Sequence, residues 1–521
     1  MMKWISVLSV VINIAARACC GAPNTFLRAP TATATRYYFL TMQKKQGFHW
    51  QTVLIAGIGF AIDAYDIFVI GMVLPMVYEV YYPNPVAGLE SSFYKNNPGV
   101  DGMLKTSTHV GNIVGQLAFG YAADKLGRKQ VYGVEMIIVL VATIGSALSC
   151  STVRGMNVLV MLGIWRFIMG MGMGGDYPQS ATITAEKASK DYRGMMVAAV
   201  FAMQGIGILV GSTVVLGTTA AFKEAILSDP QMLDYVWRIC LGITAIPSAA
   251  ILYFRFKMPE STRFAADQAK KQAVLDAIEN QKSEYEKDQM IAQNDALIES
   301  QSFGVWIRKP TNALRLFATS YTWFALDVAW YGLSLNQSAI LSIIGFGGDS
   351  SGHYSSVFDH YYQLSVGLLV IALLGTVPGY WVTVFTIEKL GRKPIQFMGF
   401  AVITGVLAIL ALFYKTLTQD HKMVFLILFT ISQFFFNFGP NVTTFVIPSE
   451  LFPTRFRSTC HGISAASGKV GAILGVLGIN PFFREYPTNV LWAYSLIMLS
   501  GLFVTMLIPE TKGLELEELS E

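Results

Sequence analysis

Seven ionisable residues interrupt stretches of this sequence that are otherwise apolar: Asp63, Asp66, Glu135, Arg166, Asp176, Asp327 and Lys469. A charge inside a membrane span costs about 2.5 kcal/mol or more, which makes each a functional candidate, with structural ion pairs between helices as the plain alternative. Asp63 and Asp66 sit in Phe60-Ala-Ile-Asp-Ala-Tyr-Asp-Ile-Phe68, and a spacing of three puts them on one helix face. Carboxylates that share a cavity can hold and pass protons. Neutral donors lie beside them: Tyr177 adjoins Asp176, and Gln204, Asn437 and Asn441 fall in later apolar stretches. Trp323, Asp327 and Tyr331 follow at i, i+4 and i+8, one stripe on one helix. An N–H, a carboxylate and a phenol in line suit a tetrahedral oxyanion, although such a stripe can also be interface packing.

Long apolar elements must position these groups. Of 521 residues, 53% are apolar and 14% charged, against about 25% charged in soluble proteins. With 46 Gly, 34 Phe, 22 Met and a mean hydropathy of +0.47, the chain reads as an all-α, polytopic membrane protein. That excludes a soluble enzyme, a disordered scaffold and a nucleic-acid binder, and a net charge of +4 is too small to imply a polyanion partner. Five cysteines, odd in number and scattered, give neither a disulfide framework nor a metal site.

About twelve stretches are long enough to span a bilayer. They divide the chain into an N-terminal extension (1–45), a six-helix bundle (46–258), a polar central loop (259–312), a second six-helix bundle (313–508) and a tail (509–521). The central loop is rich in Ala, Lys, Gln and Glu and reads as one or two surface helices. Lys and Arg crowd the loops on one side (Lys125, Arg128, Lys129; Lys389, Arg392, Lys393), which puts both termini and the central loop in the cytoplasm. Met1–Ala16 look like a signal peptide, but cleavage there would oppose the orientation that Lys44 and Lys45 favour; the reading preferred is an extension or mispredicted start, with Met42 a plausible true start.

The chain repeats itself at an offset of 264: Asp124-Lys-Leu-Gly127-Arg128-Lys129 returns as Glu388-Lys-Leu-Gly391-Arg392-Lys393, Glu186 and Arg193 as Glu450 and Arg457, and Asp63 as Asp327. Two parallel six-helix repeats are the architecture of major facilitator transporters, with a substrate site between halves related by a pseudo-two-fold axis along the membrane normal. Asp124, Arg128 and Lys129, with Glu388, Arg392 and Lys393, have the pattern of that fold's gating loops, where ion pairs around a tight glycine turn break as the bundles rock. The glycine run Gly170-Met-Gly172-Met-Gly174-Gly175 is not a nucleotide loop, since no strand precedes it; small residues so spaced let helices approach closely. Asn336 and Asn441 match glycosylation sequons in or beside spans, where use is not expected.

Gly174-Gly175-Asp176-Tyr177-Pro178-Gln179-Ser180-Ala181-Thr182 resembles the signature of the phosphate:proton symporter family of fungi and plants, in which Leu more often stands at the place of Gln179. Similarity extends through Asp63-Ala-Tyr-Asp66, Ala199-Val-Phe-Ala-Met-Gln204, Thr322-Trp323-Phe-Ala-Leu-Asp327, Asn437-Phe-Gly-Pro-Asn441, Ser464-Ala-Ala-Ser-Gly-Lys469 and the closing Pro509-Glu-Thr-Lys-Gly. The resemblance implies that Tyr177, Gln204, Trp323, Asp327, Tyr331 and Asn441 contact phosphate, with Lys469 a charge partner closest in role to Asp327. It places Asp63, Asp66 and Asp176 on the proton route, supported by Arg166 and Glu135.

The expected function is therefore proton-coupled uptake of inorganic phosphate at the plasma membrane, with no cofactor or metal and no enzymatic reaction. A carboxylate at Asp327 can accept a hydrogen bond from a P–OH group, which sulfate at neutral pH lacks, and repels fully deprotonated anions. Arsenate, alike in size and protonation, is expected to compete. A phosphate sensor, or a dual transporter and sensor, is the alternative from another class. A proton-coupled sugar transporter shares the fold, but span seven carries Leu326-Asp327-Val-Ala-Trp-Tyr331 where sugar carriers typically have Gln-Gln-x-x-Gly.

Overall fold

The computed structural model describes residues 50–84, 93–150, 156–257, 302–343, 356–483 and 485–516, with a few isolated positions between and beyond. The N-terminal extension with its signal-like segment, and nearly all of the central loop before residue 302, lie outside the described residues.

Among the described residues, twelve long helices make up the fold. The first half holds α1 (Trp50–Tyr81), α2 (Pro98–Leu126), α3 (Arg128–Ala147), α4 (Val158–Lys187), α5 (Arg193–Ala221) and α6 (Pro230–Phe256). The second holds α7 (Pro310–Ser334), α8 (Val357–Leu390), α9 (Arg392–Leu412), α10 (Lys422–Leu451), α11 (Arg457–Ile479) and α12 (Pro487–Thr505). Ten are long and apolar enough to cross a membrane by length and composition; α2 and α7 are as long but more polar. Their polarity has a structural cause: each buries a polar face inside the molecule, while Val114, Leu117 and Tyr121 of α2 and Leu314 and Phe317 of α7 stay exposed. Outward-facing residues such as Leu374, Phe385, Ile246 and Leu496 are exposed and apolar, as a lipid boundary requires.

The repeat is visible in the packing. α1 lies along α5 as α7 lies along α11, and across the seam α2 meets α11 as α8 meets α5. Small residues make these approaches possible. A Cβ at Gly174 of α4 would sit 2.5 Å from the Asn112 carbonyl of α2, and one at Gly172 would sit 2.6 Å from the Glu135 carbonyl of α3. At the repeated loops Gly127 (φ 107°) and Gly391 (φ 94°) hold the same left-handed turn, open to glycine at little cost.

α10 is interrupted. Pro440 removes the N–H that would continue the ladder, and the helix restarts at Pro440–Leu451. The carbonyl of Asn437, left beside the break, accepts a 2.8 Å hydrogen bond from the Thr383 hydroxyl of α8. The break sets the two amides of Asn437 and Asn441 against each other at 2.7 Å, at the centre of the seam.

Candidate functional site

Lys469 of α11 organises one side of the centre. Its ammonium donates to Asp327 Oδ2 at 3.0 Å and to the Tyr331 hydroxyl at 2.9 Å, both one turn apart on α7. It also lies 4.3 Å from the Tyr331 ring centroid and 5.0 Å from that of Tyr177. Gly468, the residue before it, has to be small: a Cβ there would come 2.8 Å from Asp327 Oδ2 and closer still to the Trp323 ring. Trp323 stands edge-on to His461 with centroids 5.4 Å apart, and Phe68 stacks on Tyr331 at 5.6 Å. All of these groups are buried.

A chain of neutral groups completes the centre from the other side. Gln204 of α5 donates to the Tyr177 hydroxyl at 3.4 Å, Tyr380 of α8 donates to Gln204 Oε1 at 2.6 Å, and Asn441 donates to the Tyr380 hydroxyl at 2.8 Å. The candidates Tyr177, Gln204, Trp323, Asp327, Tyr331, Asn441 and Lys469 thus surround one centre built by α4, α5, α7, α10 and α11. Tyr380 joins two of them and was not among the sequence candidates. No spacing argument ties it to the stripe on α7.

The remaining carboxylates form a second group, inside the first half. Asp66 accepts from the Thr244 hydroxyl at 2.8 Å and the Thr143 hydroxyl at 3.4 Å, and Arg166 donates to the Asp66 backbone carbonyl at 3.1 Å. Asp176 and Glu135 share Arg255 of α6, at 2.5 Å and 2.9 Å. Arg255 lies flat over the Tyr132 ring at 4.4 Å, and Gly59 of α1 leaves room for its guanidinium. Asp63 is 2% exposed, and neither carboxylate oxygen has a hydrogen-bond partner among the described residues. The sequence puts these acids with Asp327 on one proton route; in the structure Asp327 pairs with Lys469, Asp176 and Glu135 share Arg255, and Asp66 is held by Thr244 and Thr143. Arg255 escaped the sequence reading because it falls at the end of its span next to the central loop, where a cation is expected in the loop.

The comparisons with known proteins agree with one another. The sugar (and other) transporter family matches residues 52–521. The repressible high-affinity phosphate permease of Neurospora crassa is 39% identical over 536 residues, covering 95% of this chain and 91% of its own. The probable inorganic phosphate transporter 1-3 of Arabidopsis thaliana is 38% identical, covering 92% and 96%. The chain belongs to the phosphate:proton symporter family of the major facilitator superfamily. Among solved structures, the proton:xylose symporter XylE of E. coli superposes with a TM-score of 0.67 at 19% identity, covering 91% of this chain and 98% of its own; it shares the fold. The protein is a multi-pass membrane transporter and not an enzyme.

This transporter is tied shut at both ends of the seam. On the side of the repeated loops, Arg128 pairs with Asp124 at 3.2 Å and Glu186 at 3.1 Å, while Arg392 pairs with Glu388 at 2.7 Å and Glu450 at 2.8 Å. Asp124 crosses to α11, accepting from the backbone and hydroxyl of Thr459 at 2.7 Å each. Glu388 crosses to α5, accepting from Met195 N at 2.9 Å. Lys393 donates instead to the Met506 carbonyl at 2.8 Å, and Lys129 is exposed. At the opposite end Lys105 holds Asn336 Oδ1 at 2.8 Å, and Ser338 donates to the Gly71 carbonyl at 3.0 Å. Asn336 and Asn441 are 4% and 3% exposed, so neither sequon faces solvent.

Proposed function

We propose that the protein takes up dihydrogen phosphate together with protons across the plasma membrane by alternating access, with both termini in the cytoplasm. The observation that carries this reading is the Lys469–Asp327–Tyr331 set, 3.0 and 2.9 Å from the ammonium. A buried ion pair is internally neutral, and a phosphate monoanion entering it brings an uncompensated charge that a low-dielectric site tolerates poorly. A proton on Asp327 releases Lys469 to the phosphate oxygens and turns the carboxyl into a donor. Anion and proton are therefore favoured together, which is the physical content of symport. Tyr177, Gln204, Trp323 and Asn441 supply neutral donors, and Tyr380 orients Gln204 and Asn441 towards the centre. Asp63, Asp66 and Asp176, with Arg166 and Glu135 beside them, make up the proton route.

Substrate choice follows from donor and acceptor balance. Phosphate and arsenate at neutral pH offer both bare oxygens and hydroxyls, whereas sulfate offers no hydroxyl to a carboxylate. The reading is supported by the names of the fungal and plant relatives and by the absence of that sugar signature in α7. It is tested by equilibrium binding of radiolabelled phosphate to the purified protein. Cold phosphate and arsenate should displace the label, while sulfate and glucose at the same concentration should not. Displacement by glucose alone would move the protein to the sugar carriers.

A further inference from the structure

Helix α2 carries a polar stripe that the phosphate site described above does not use. His109, Asn112 and Gln116 follow at i, i+3 and i+7, one face of the helix, and all three are 0% exposed. Among the described residues neither ring nitrogen of His109, neither amide atom of Asn112 and neither amide atom of Gln116 has a hydrogen-bond partner. Six orphaned polar atoms on one buried face are unusual, because buried polar groups are paired as a rule. The stripe does not face lipid. The His109 ring stands edge-on to Tyr331 with centroids 4.4 Å apart, and the Gln116 carbonyl abuts Gly462 of α11 across the seam. The Lys469 ammonium shares Tyr331 as a neighbour, donating to its hydroxyl at 2.9 Å, and Arg166 lies on α4, which packs along α2. Arg166 spends one nitrogen on the Asp66 carbonyl and keeps Nε and Nη2 without partners among the described residues.

We propose that His109 and Asn112, beside Arg166, form a second binding station for a singly protonated tetrahedral oxyanion, adjoining the Lys469–Tyr331 pair. This inference rests on the phosphate-carrier reading. The chemistry matches that ligand in three respects. Arg166, with Nε and Nη2 unpartnered among the described residues, offers an anion a cation. Imidazole and carboxamide each present a donor and an acceptor, so they satisfy both a P–O⁻ and a P–OH. His109 stands against Tyr331, which joins the station to the Lys469 site, and Gln116 continues the same face by one turn.

The test is phosphate binding and phosphate-dependent thermal stabilisation of the full-length purified protein, in wild type, His109→Leu, Asn112→Leu and His109→Gln. Removing hydrogen-bonding capacity from a ligand station should weaken phosphate binding by about tenfold in each Leu variant. His109→Gln keeps a donor and an acceptor and should stay within about threefold of wild type. Without phosphate the Leu variants should melt at or above the wild-type temperature, since they remove orphaned polar groups, and their phosphate-induced upward shift should be smaller. A residue that only supports folding would instead lower the melting temperature in the absence of phosphate. If the Leu variants bind phosphate as wild type does, with the same thermal shift, the stripe holds water alone and the station is wrong. If His109→Gln binds as poorly as His109→Leu, the donor and acceptor argument is wrong. If wild type itself binds no phosphate, the carrier reading fails, a result distinguishable from failure of the station.

Discussion

Arg457 reaches from the second half to place its Nη1 3.1 Å from Glu186 Oε1, the same oxygen that Arg128 of the first half holds at 3.1 Å. The repeat-related Arg193 does not mirror it. Arg193 donates to the Leu514 carbonyl at 2.9 Å and lies 3.6 Å from Glu515, while its expected partner Glu450 is taken by Arg392 at 2.8 Å and by the Thr511 hydroxyl at 2.5 Å. Of the two repeat-related arginines, Arg457 therefore clamps the seam directly and Arg193 through the tail.

Glu186→Gln should loosen that closure. Removing one partner of a buried pair costs about 3–5 kcal/mol, and here Arg457 and Arg128 both lose this carboxylate. A cysteine at Ser464, buried on α11, should be alkylated about tenfold faster or more in the Glu186→Gln background, by a reagent entering from the loop side. An unchanged rate would mean that the clamp does not hold the gate.

At the substrate centre, Lys469→Met should abolish measurable phosphate binding, and Asp327→Asn should keep binding but lose its preference over sulfate. The two follow from the 3.0 Å pair: Met removes the ammonium that draws the anion there, whereas Asn keeps the shape and drops the repulsive charge. Competition binding with sulfate checks both. Asp327→Asn that still rejects sulfate would remove the filter from Asp327.

Tyr380→Phe removes the donor to Gln204 and the acceptor of Asn441, bonds of 2.6 and 2.8 Å. Gln204 Oε1 loses its partner, at about 1–3 kcal/mol, while Asn441 keeps Asn437, so the KM for phosphate should rise by about fivefold to a hundredfold with expression intact. An unchanged KM would make Tyr380 a spacer only.

Arg255→Met leaves Glu135 and Asp176 buried without their guanidinium, and should lower stability by about 3–5 kcal/mol. The triple variant with Glu135→Gln and Asp176→Asn should recover most of that loss, read as melting temperature. Failure of the triple variant to recover would point to packing over Tyr132 rather than charge.

The repeat carried most of what could be read in advance. Charged loops at a fixed offset, and a central charged segment, define two six-helix halves without any coordinates, and the stripe Trp323, Asp327, Tyr331 needs only helix periodicity. Three features needed the structure. Arg255 lies at a helix end, so its sequence position gives no sign that its side chain turns inward to Glu135 and Asp176. Tyr380 is one aromatic among many on α8, and only the fold brings it between Gln204 and Asn441. His109 sits in a helix whose polarity reads as weak membrane character, and only packing shows that face turned to the seam.

Uptake of radiolabelled phosphate into proteoliposomes, with and without an imposed pH gradient acid outside, tests the central claim most directly. Coupling of phosphate to protons predicts accumulation above equilibrium when the gradient is present, collapse of that accumulation by a protonophore, and block by arsenate but not by sulfate. Equal uptake with and without the gradient would contradict symport, and binding with no uptake in either condition would make the protein a phosphate sensor.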